Sequence, residues 1–212
     1  MATFRSSALA SALLAGVTAC VVAPTARAQG AAQPAAAPDV QFVSGMILHH
    51  AQAVLMAGWA PTHGASAAVQ ELCRRIAISQ RDEMATMERW LREHDLALPD
   101  TSPSASLAPS SSMPGMAMEP GASGLMPGML TPTQLAQLDS ARGPAFDRDF
   151  LTFMIQHHRG ALTMVAGYEN APSAGEDPWV FQFASEVNGD QSAEIDRMSR
   201  MLAAMNPVPR SQ

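Results

Sequence analysis

Two segments of the chain are near copies: Met46-Ile47-Leu48-His49-His50-Ala51-Gln52-Ala53-Val54-Leu55-Met56 and Met154-Ile155-Gln156-His157-His158-Arg159-Gly160-Ala161-Leu162-Thr163-Met164. The pattern M-I-x-H-H-x-x-A-x-x-M is kept without a gap and holds four of the six histidines. Imidazole binds zinc, copper, iron and nickel, and thioether adds a preference for Cu(I) and, by extension, Ag(I). A His-His pair bracketed by methionines therefore suits a soft monovalent ion. The candidate ligands are Met46, His49, His50 and Met56 in one copy and Met154, His157, His158 and Met164 in the other. There are bland alternatives. A methionine stripe at helical spacing is more often core filler, the reading preferred for Met84, Met87, Met198 and Met201. One histidine of each pair could instead hydrogen-bond across the core or to a backbone carbonyl.

Two further groups could supply ligands. Leu96 to Leu130 is rich in Pro, Ser, Gly and Met and has no apolar period, so it reads as a flexible, solvated connection. It carries Met113, Met116 and Met118, then Met126 and Met129. With no core to fill, these thioethers suit loose capture of Cu(I). The alternative is a low-complexity linker under weak constraint. Cys73 is the second group, either a small buried hydrophobe or a metal ligand.

Rival chemistries lack their residues. A carboxylate di-iron bundle needs Glu-x-x-His on two helices, and no such tetrapeptide occurs. Glu83 and Glu194 are the only acids repeated in the later helices, so a ferroxidase or oxygenase site is not expected. Gly-x-Ser-x-Gly, P-loop and dinucleotide fingerprints are absent, and the expectation is a protein that is not an enzyme. Asp39 and Asp147 read as helix N-caps or first-turn residues.

Helices must position these side chains. With about 100° per residue and Met46 at 0°, His50 lies at about +40°, Ala53 at −20°, His49 at −60° and Met56 at −80°. The cluster occupies one face, and the same angles hold around Met154. Helices are expected from Asp39 to Ala60, Ala65 to about His94, Gln134 to about Ala141, Ala145 to Glu169, and Pro178 to about Met205, punctuated by Pro-Gly turns. No stretch alternates long enough for a strand. The repeat extends beyond the motif. Asp39, Phe42 and Met46 match Asp147, Phe150 and Met154 at an offset of 108. Gln80, Glu83, Met84, Met87 and Leu91 match Gln191, Glu194, Ile195, Met198 and Leu202 at 111. The unit is a helical hairpin present twice, and two hairpins face to face make a four-helix bundle. A hairpin turning near Thr62 would set His49 and His50 level with Cys73 and Ile76, with Gln80 in reach of the site.

The ends of the chain bound its location. Arg5, the apolar run Ala8 to Val22 and Pro24-Thr25-Ala26-Arg27-Ala28 read as a secretory signal cleaved after Ala28; Val17-Thr18-Ala19-Cys20 offers lipidation at Cys20 as the alternative. That apolar run is short for a bilayer, and no later segment is expected to span one. The reading is a signal over 1–28, a tether over 29–38, and one domain over 39–205. That domain comprises hairpin 39–95, connection 96–130 and hairpin 131–205, with a tail over 206–212. The chain has no lysine; removing the two leader arginines from 13 leaves 11 against 19 acids, a net charge of −8. An acidic chain without a basic stripe argues against nucleic acid as a partner and is compatible with collecting cations. Without Cys20, Cys73 stands alone and no internal disulfide can form.

The run Asp147-Arg148-Asp149-Phe150-Leu151 through Met154-Ile155-x-His157-His158-Arg159-Gly160-Ala161-Leu162-x-Met164 resembles the bacterial family known as domain of unknown function 305. So do Met126-Pro127-Gly128-Met129-Leu130-Thr131-Pro132, Gln134-Leu135-x-x-Leu138 and Gln191-x-x-Glu194-Ile195-x-x-Met198. The resemblance covers Asp39 to Met205. It implies an all-α, ferritin-like four-helix bundle, exported, in a family with members linked to copper binding and tolerance. It also implies that the eight motif histidines and methionines face the metal. The first copy departs from the pattern: it lacks the Asp-Arg-x-Phe start, and Gln52 stands where Gly is usual.

The function expected is that of a periplasmic or secreted copper-binding buffer, chaperone or resistance factor, holding Cu(I) or silver. Its partners would be metal ions and a copper-efflux or copper-delivery protein. The alternatives are a helical module whose His pairs specify packing, and a redox metalloenzyme. Whether the two copies form one site or two is left open.

Overall fold

The computed structural model describes residues 37–102 and 125–205; the leader, the tail and Met113, Met116 and Met118 lie outside them. Among the described residues there are five helices: α1 (Ala37–Gly58), α2 (Ala67–Glu93), α3 (Pro132–Ser140), α4 (Pro144–Glu169) and α5 (Pro178–Met205). Local chemistry sets their ends. Ser66 caps α2 by accepting from the Val69 N–H. Thr131 and Gln134 form a reciprocal capping box on α3 with Pro132 in the first turn. Asp177 accepts from the Trp179 N–H at 2.8 Å at the start of α5. Each such cap stabilises a helix by about 1 kcal/mol. Ala37 and Pro38, read from the sequence as tether, belong to α1.

α1 packs on α2 and α4 on α5, as two hairpins, and α1 on α4 joins them; α2 and α5 lie further apart. Two ring pairs fix an antiparallel α1/α4 register. Phe42 stacks on Tyr168 at 4.7 Å, and His49 meets His157 at 3.8 Å. His49 and His157 are also repeat mates at the 108 offset. A residue that touches its own mate lies on the twofold relating the copies, so the pseudo-twofold axis of the bundle passes between these two rings.

The apolar core forms two clusters. One contains Ala53, Met56, Cys73, Phe146, Phe150 and Met154. The other contains Phe42, Met46, Met87, Met126, Ala161 and Met164. The four motif histidines are buried as well, with Gln52, Gln80 and Gln191, so polar side chains interrupt the apolar interior. α1, 22 residues long, is apolar enough by length and composition to cross a bilayer, with a mean hydropathy of 1.2 over an 18-residue window, which corrects the expectation that nothing after the leader would qualify. The reason is its position: packed against both α2 and α4, it buries most of its residues.

Candidate metal centre

All eight motif residues are buried, none more than 6 % exposed. The two histidines of each pair diverge by about 100° on their helix, and the bundle uses both directions. The inner histidines, His49 and His157, point across the axis at each other, and His157 lies 6.3 Å from His158. The outer histidines turn into their own hairpins: His50 Nε2 donates to Glu83 Oε2 and His158 Nε2 to Glu194 Oε2, each at 2.6 Å. The copies therefore meet in one central layer. Met46 and Met164 share one adjoining apolar cluster, and Met56 and Met154 share the other, so each cluster takes one thioether from each copy.

The inner rings are uncharged. Burial, then the charge of His50, pushes His49 down to about 3 against a weaker opposing bond to Pro127. Burial, then His49, holds His157 well below the usual imidazole range. Among the described residues neither ring nitrogen of His157 has a hydrogen bond of good geometry, only a weak pull from the His49 backbone that opposes its lowering, and Nδ1 of His49, His50 and His158 has no partner. Native cores rarely leave such atoms unpaired, because each costs about 1–3 kcal/mol. Glu83 behaves differently: burial pushes it up, but the hydrogen bond and charge of His50 and the Ser79 hydroxyl prevail and hold its carboxyl below the usual range.

No group of three His, Cys, Asp or Glu side chains stands ready to cage a metal among the described residues. A soft monovalent ion takes fewer donors and accepts thioether, and paired imidazole nitrogens beside buried methionines fit it.

A strap over residues 125–131 covers the layer. Gln52 clamps it with both ends of its amide, Oε1 accepting from the Leu130 N–H at 2.7 Å and Nε2 donating to the Leu130 carbonyl at 3.2 Å. His49 Nε2 donates to the Pro127 carbonyl at 3.0 Å. Gly128 takes a φ of +74°, and a Cβ there would fall 2.6 Å from the Gln156 carbonyl. A Cβ on Gly160 would overlap the Pro127 carbonyl.

This corrects the sequence reading of Met126 and Met129. They are 5 % and 6 % exposed, packed in the core rather than solvated in a flexible connection. The backbone of a Pro-Gly turn seated against a helical glycine provided their anchorage, and neither feature has an apolar period.

The expected level of Cys73 is also corrected. The His50–Glu83 bond fixes the α1/α2 register, placing Cys73 ten residues, roughly 15 Å, from Glu83 along α2. Residues 59–66 form a longer turn than expected, folded under the bundle and tied down by His63. Its Nε2 donates to the Asp139 carbonyl at 2.8 Å, and its own carbonyl accepts from the Gly143 N–H. The thiol therefore sits in the apolar cluster next to this turn, its pKa pushed up to about 12 by burial and then by Asp147. Gln80 is buried, and its amide has no partner among the described residues. Asp39 and Asp147 are first-turn residues, as expected. Asp39 accepts from the Tyr168 hydroxyl at 2.6 Å, and Asp147 accepts from the Ser66 N–H at 3.1 Å. Glu83 and Glu194 were visible as a repeated pair in the sequence, but their part in holding His50 and His158 was not.

The family described as Domain of unknown function (DUF305) matches residues 39–202. No curated protein matches the sequence at a significant level. Among solved structures, a DUF305 protein from Streptomyces coelicolor, described as secreted, is 25 % identical with a TM-score of 0.64, covering 82 % of this chain and 98 % of its own. A DUF305 fragment from Deinococcus radiodurans is 28 % identical with a TM-score of 0.65, covering 81 % and 99 %. CopM in its Cu(II)-bound form shares the fold at 24 % identity and a TM-score of 0.58, covering 78 % of this chain and 96 % of CopM. Matched over most of its length and folded like the family's solved members, the chain belongs to the DUF305 family.

Proposed function

We propose that the protein is an exported copper-binding protein, a buffer, chaperone or resistance factor with no chemical step. It would hold Cu(I) or Ag(I) in the central layer. The observation that carries this reading is the inner pair: two uncharged, buried imidazoles 3.8 Å apart, one with both nitrogens unpartnered. The site straddles the pseudo-twofold, so the two motifs contribute to one centre, with thioethers in the adjoining layers. CopM, solved with Cu(I) and with Cu(II), gives the same fold a copper-bound precedent. Export is supported by the leader sequence and by the secreted relative. Delivery to or from a copper-efflux or copper-delivery protein would follow.

Competition between the metal-free mature protein and a Cu(I) chelator tests the reading. Affinity tighter than about micromolar, lost on substituting His49 and His157, is expected. Weaker binding that ignores both substitutions would sink it. A second reading has its own support: the two outer His–Glu bonds join the helices of each hairpin, as packing determinants would. A melting temperature unmoved by Cu(I) or Ag(I), yet lowered by His50→Ala without metal, would favour that reading.

A further inference from the structure

Three of the four motif imidazoles are gripped by one and the same nitrogen. Nε2 of His50 and of His158 lies 2.6 Å from a carboxylate oxygen, and Nε2 of His49 lies 3.0 Å from the Pro127 carbonyl. A carboxylate or carbonyl oxygen only accepts, so Nε2 carries the proton in each ring. Each Nδ1 is buried without a partner among the described residues. In the neutral ring, a proton on Nε2 leaves Nδ1 as a lone pair. The arrangement is repeated about the pseudo-twofold by Glu83 and Glu194, which are repeat mates like the histidines they hold.

We propose that Glu83, Glu194 and the Pro127 carbonyl are positioning groups that fix His50, His158 and His49 in the Nε2–H tautomer, so that each presents Nδ1 to a soft metal ion. The proposal rests on the metal-binding reading above for its second half; the tautomer half concerns the metal-free protein alone. Metal-bound imidazoles commonly donate their other N–H to a carboxylate or carbonyl, which orients the ring and raises its basicity. Here those acceptors are in place without metal. His157 has no such orienting partner and is the one ring of the four whose tautomer the fold leaves unassigned. Binding through Nδ1 would leave the Glu83, Glu194 and Pro127 bonds of Nε2 in place.

The test is long-range 1H–15N correlation on the full mature chain with 15N-labelled histidine, first metal-free and then with Ag(I). The expected result is the Nε2–H pattern for His49, His50 and His158 before metal. On adding Ag(I), a shift of the Nδ1 resonances should follow in those rings that bind, with Nε2–H retained. A metal-free Nδ1–H pattern in His50 and His158 would overturn the proposal. Silver bound through Nε2 would overturn it while leaving the metal-binding reading intact. An Nε2–H pattern with no silver bound at all would overturn that reading and the ligand half of the proposal together. Glu83→Gln supplies an independent arm, with Glu194→Gln as its counterpart should either fail to fold. A Gln amide can turn its NH2 toward the ring and invert the tautomer, so Ag(I) affinity is expected to fall about 10- to 100-fold. Unchanged affinity with an inverted tautomer would count against the positioning role.

Discussion

The two hairpins carry the same motif, yet repeat mates 52 and 160 are a glutamine and a glycine. Both touch the same object. The strap is a single copy laid across a twofold, so the halves beneath it cannot match. Gln52 holds its Leu130 end by two hydrogen bonds, and Gly160 removes its side chain where Pro127 and Gly128 descend onto α4. The same asymmetry reaches the inner histidines, where His49 donates to the strap and His157 has no partner. The Gln52 that departs from the repeat is thus the mark of a shared cover.

The largest test of this comparison is Gly160→Ala. The new methyl group meets backbone, which cannot rotate away, so the strap must lift, at a cost of about 3 kcal/mol. Gly167→Ala on the same helix finds nothing within 4 Å and should stabilise by roughly 0.5–1 kcal/mol. Gln52→Gly, which makes the first copy resemble the second, loses both clamp bonds and should cost about 2 kcal/mol. Urea midpoints would rank the three; equal effects of Gly160→Ala and Gly167→Ala would remove the strap from the explanation.

The next test asks whether the inner histidines are equivalent despite the strap. Both are held below the ordinary 6.5 by burial, His49 at about 3. Unfolded, each takes a proton below that ordinary value; folded, neither does until far lower. Their contribution to stability is therefore present above pH 6.5 and lost as pH falls below it, by about 1.4 kcal/mol per pH unit each, or about 2.8 together. Glu83, also depressed, adds in the same direction: its contribution is present above the unfolded carboxylate value and lost as pH falls through its folded value. Asp39, raised first by burial, acts in the opposite sense. Stability followed from pH 6.5 to 5 should show this slope, and His49→Leu and His157→Leu should each halve it. A variant that leaves the slope unchanged would show its histidine to be solvated.

The same two variants separate the copies at fixed pH. His157→Leu removes unpaired buried nitrogens and should stabilise the metal-free protein by about 1 kcal/mol. His49→Leu orphans the Pro127 carbonyl and should give no such gain. A larger gain from His49→Leu would remove the Pro127 bond from the explanation of the difference between the inner histidines.

The bundle was legible because its signals are periodic. The motif recurs at the 108 offset, and its Met46, His49 and His50 fall on one face at helical spacing. What periodicity does not encode was missed. The strap is held by backbone, through Pro127, Gly128 and Leu130, and its Met126 and Met129 are too few to show a period. The α1/α2 register depended on a turn whose length is set by distant partners, His63 with Asp139 and Gly143. Glu83 and Glu194 were read for the chemistry they could perform as metal ligands, and in a sequence a carboxylate that positions a histidine looks the same as one on the surface.

The smallest expected effect concerns the one thiol. Cys73 belongs to the first hairpin, and its mate at the 111 offset is Ala184, so Cys73→Ala makes the second helices alike at that position. Both side chains are buried, and the thiol lies in the apolar cluster beside the turn at 59–66 rather than in the histidine layer. With its pKa pushed up to about 12, little thiolate forms at neutral pH, and thiolate is the form that binds soft metals. Cys73→Ala should leave Ag(I) and Cu(I) affinity unchanged while lowering stability by about 1 kcal/mol for the small cavity. A tenfold loss of affinity in the chelator competition would return the thiol to the centre, and with it a metal site that belongs to the first hairpin alone rather than to the axis between the two.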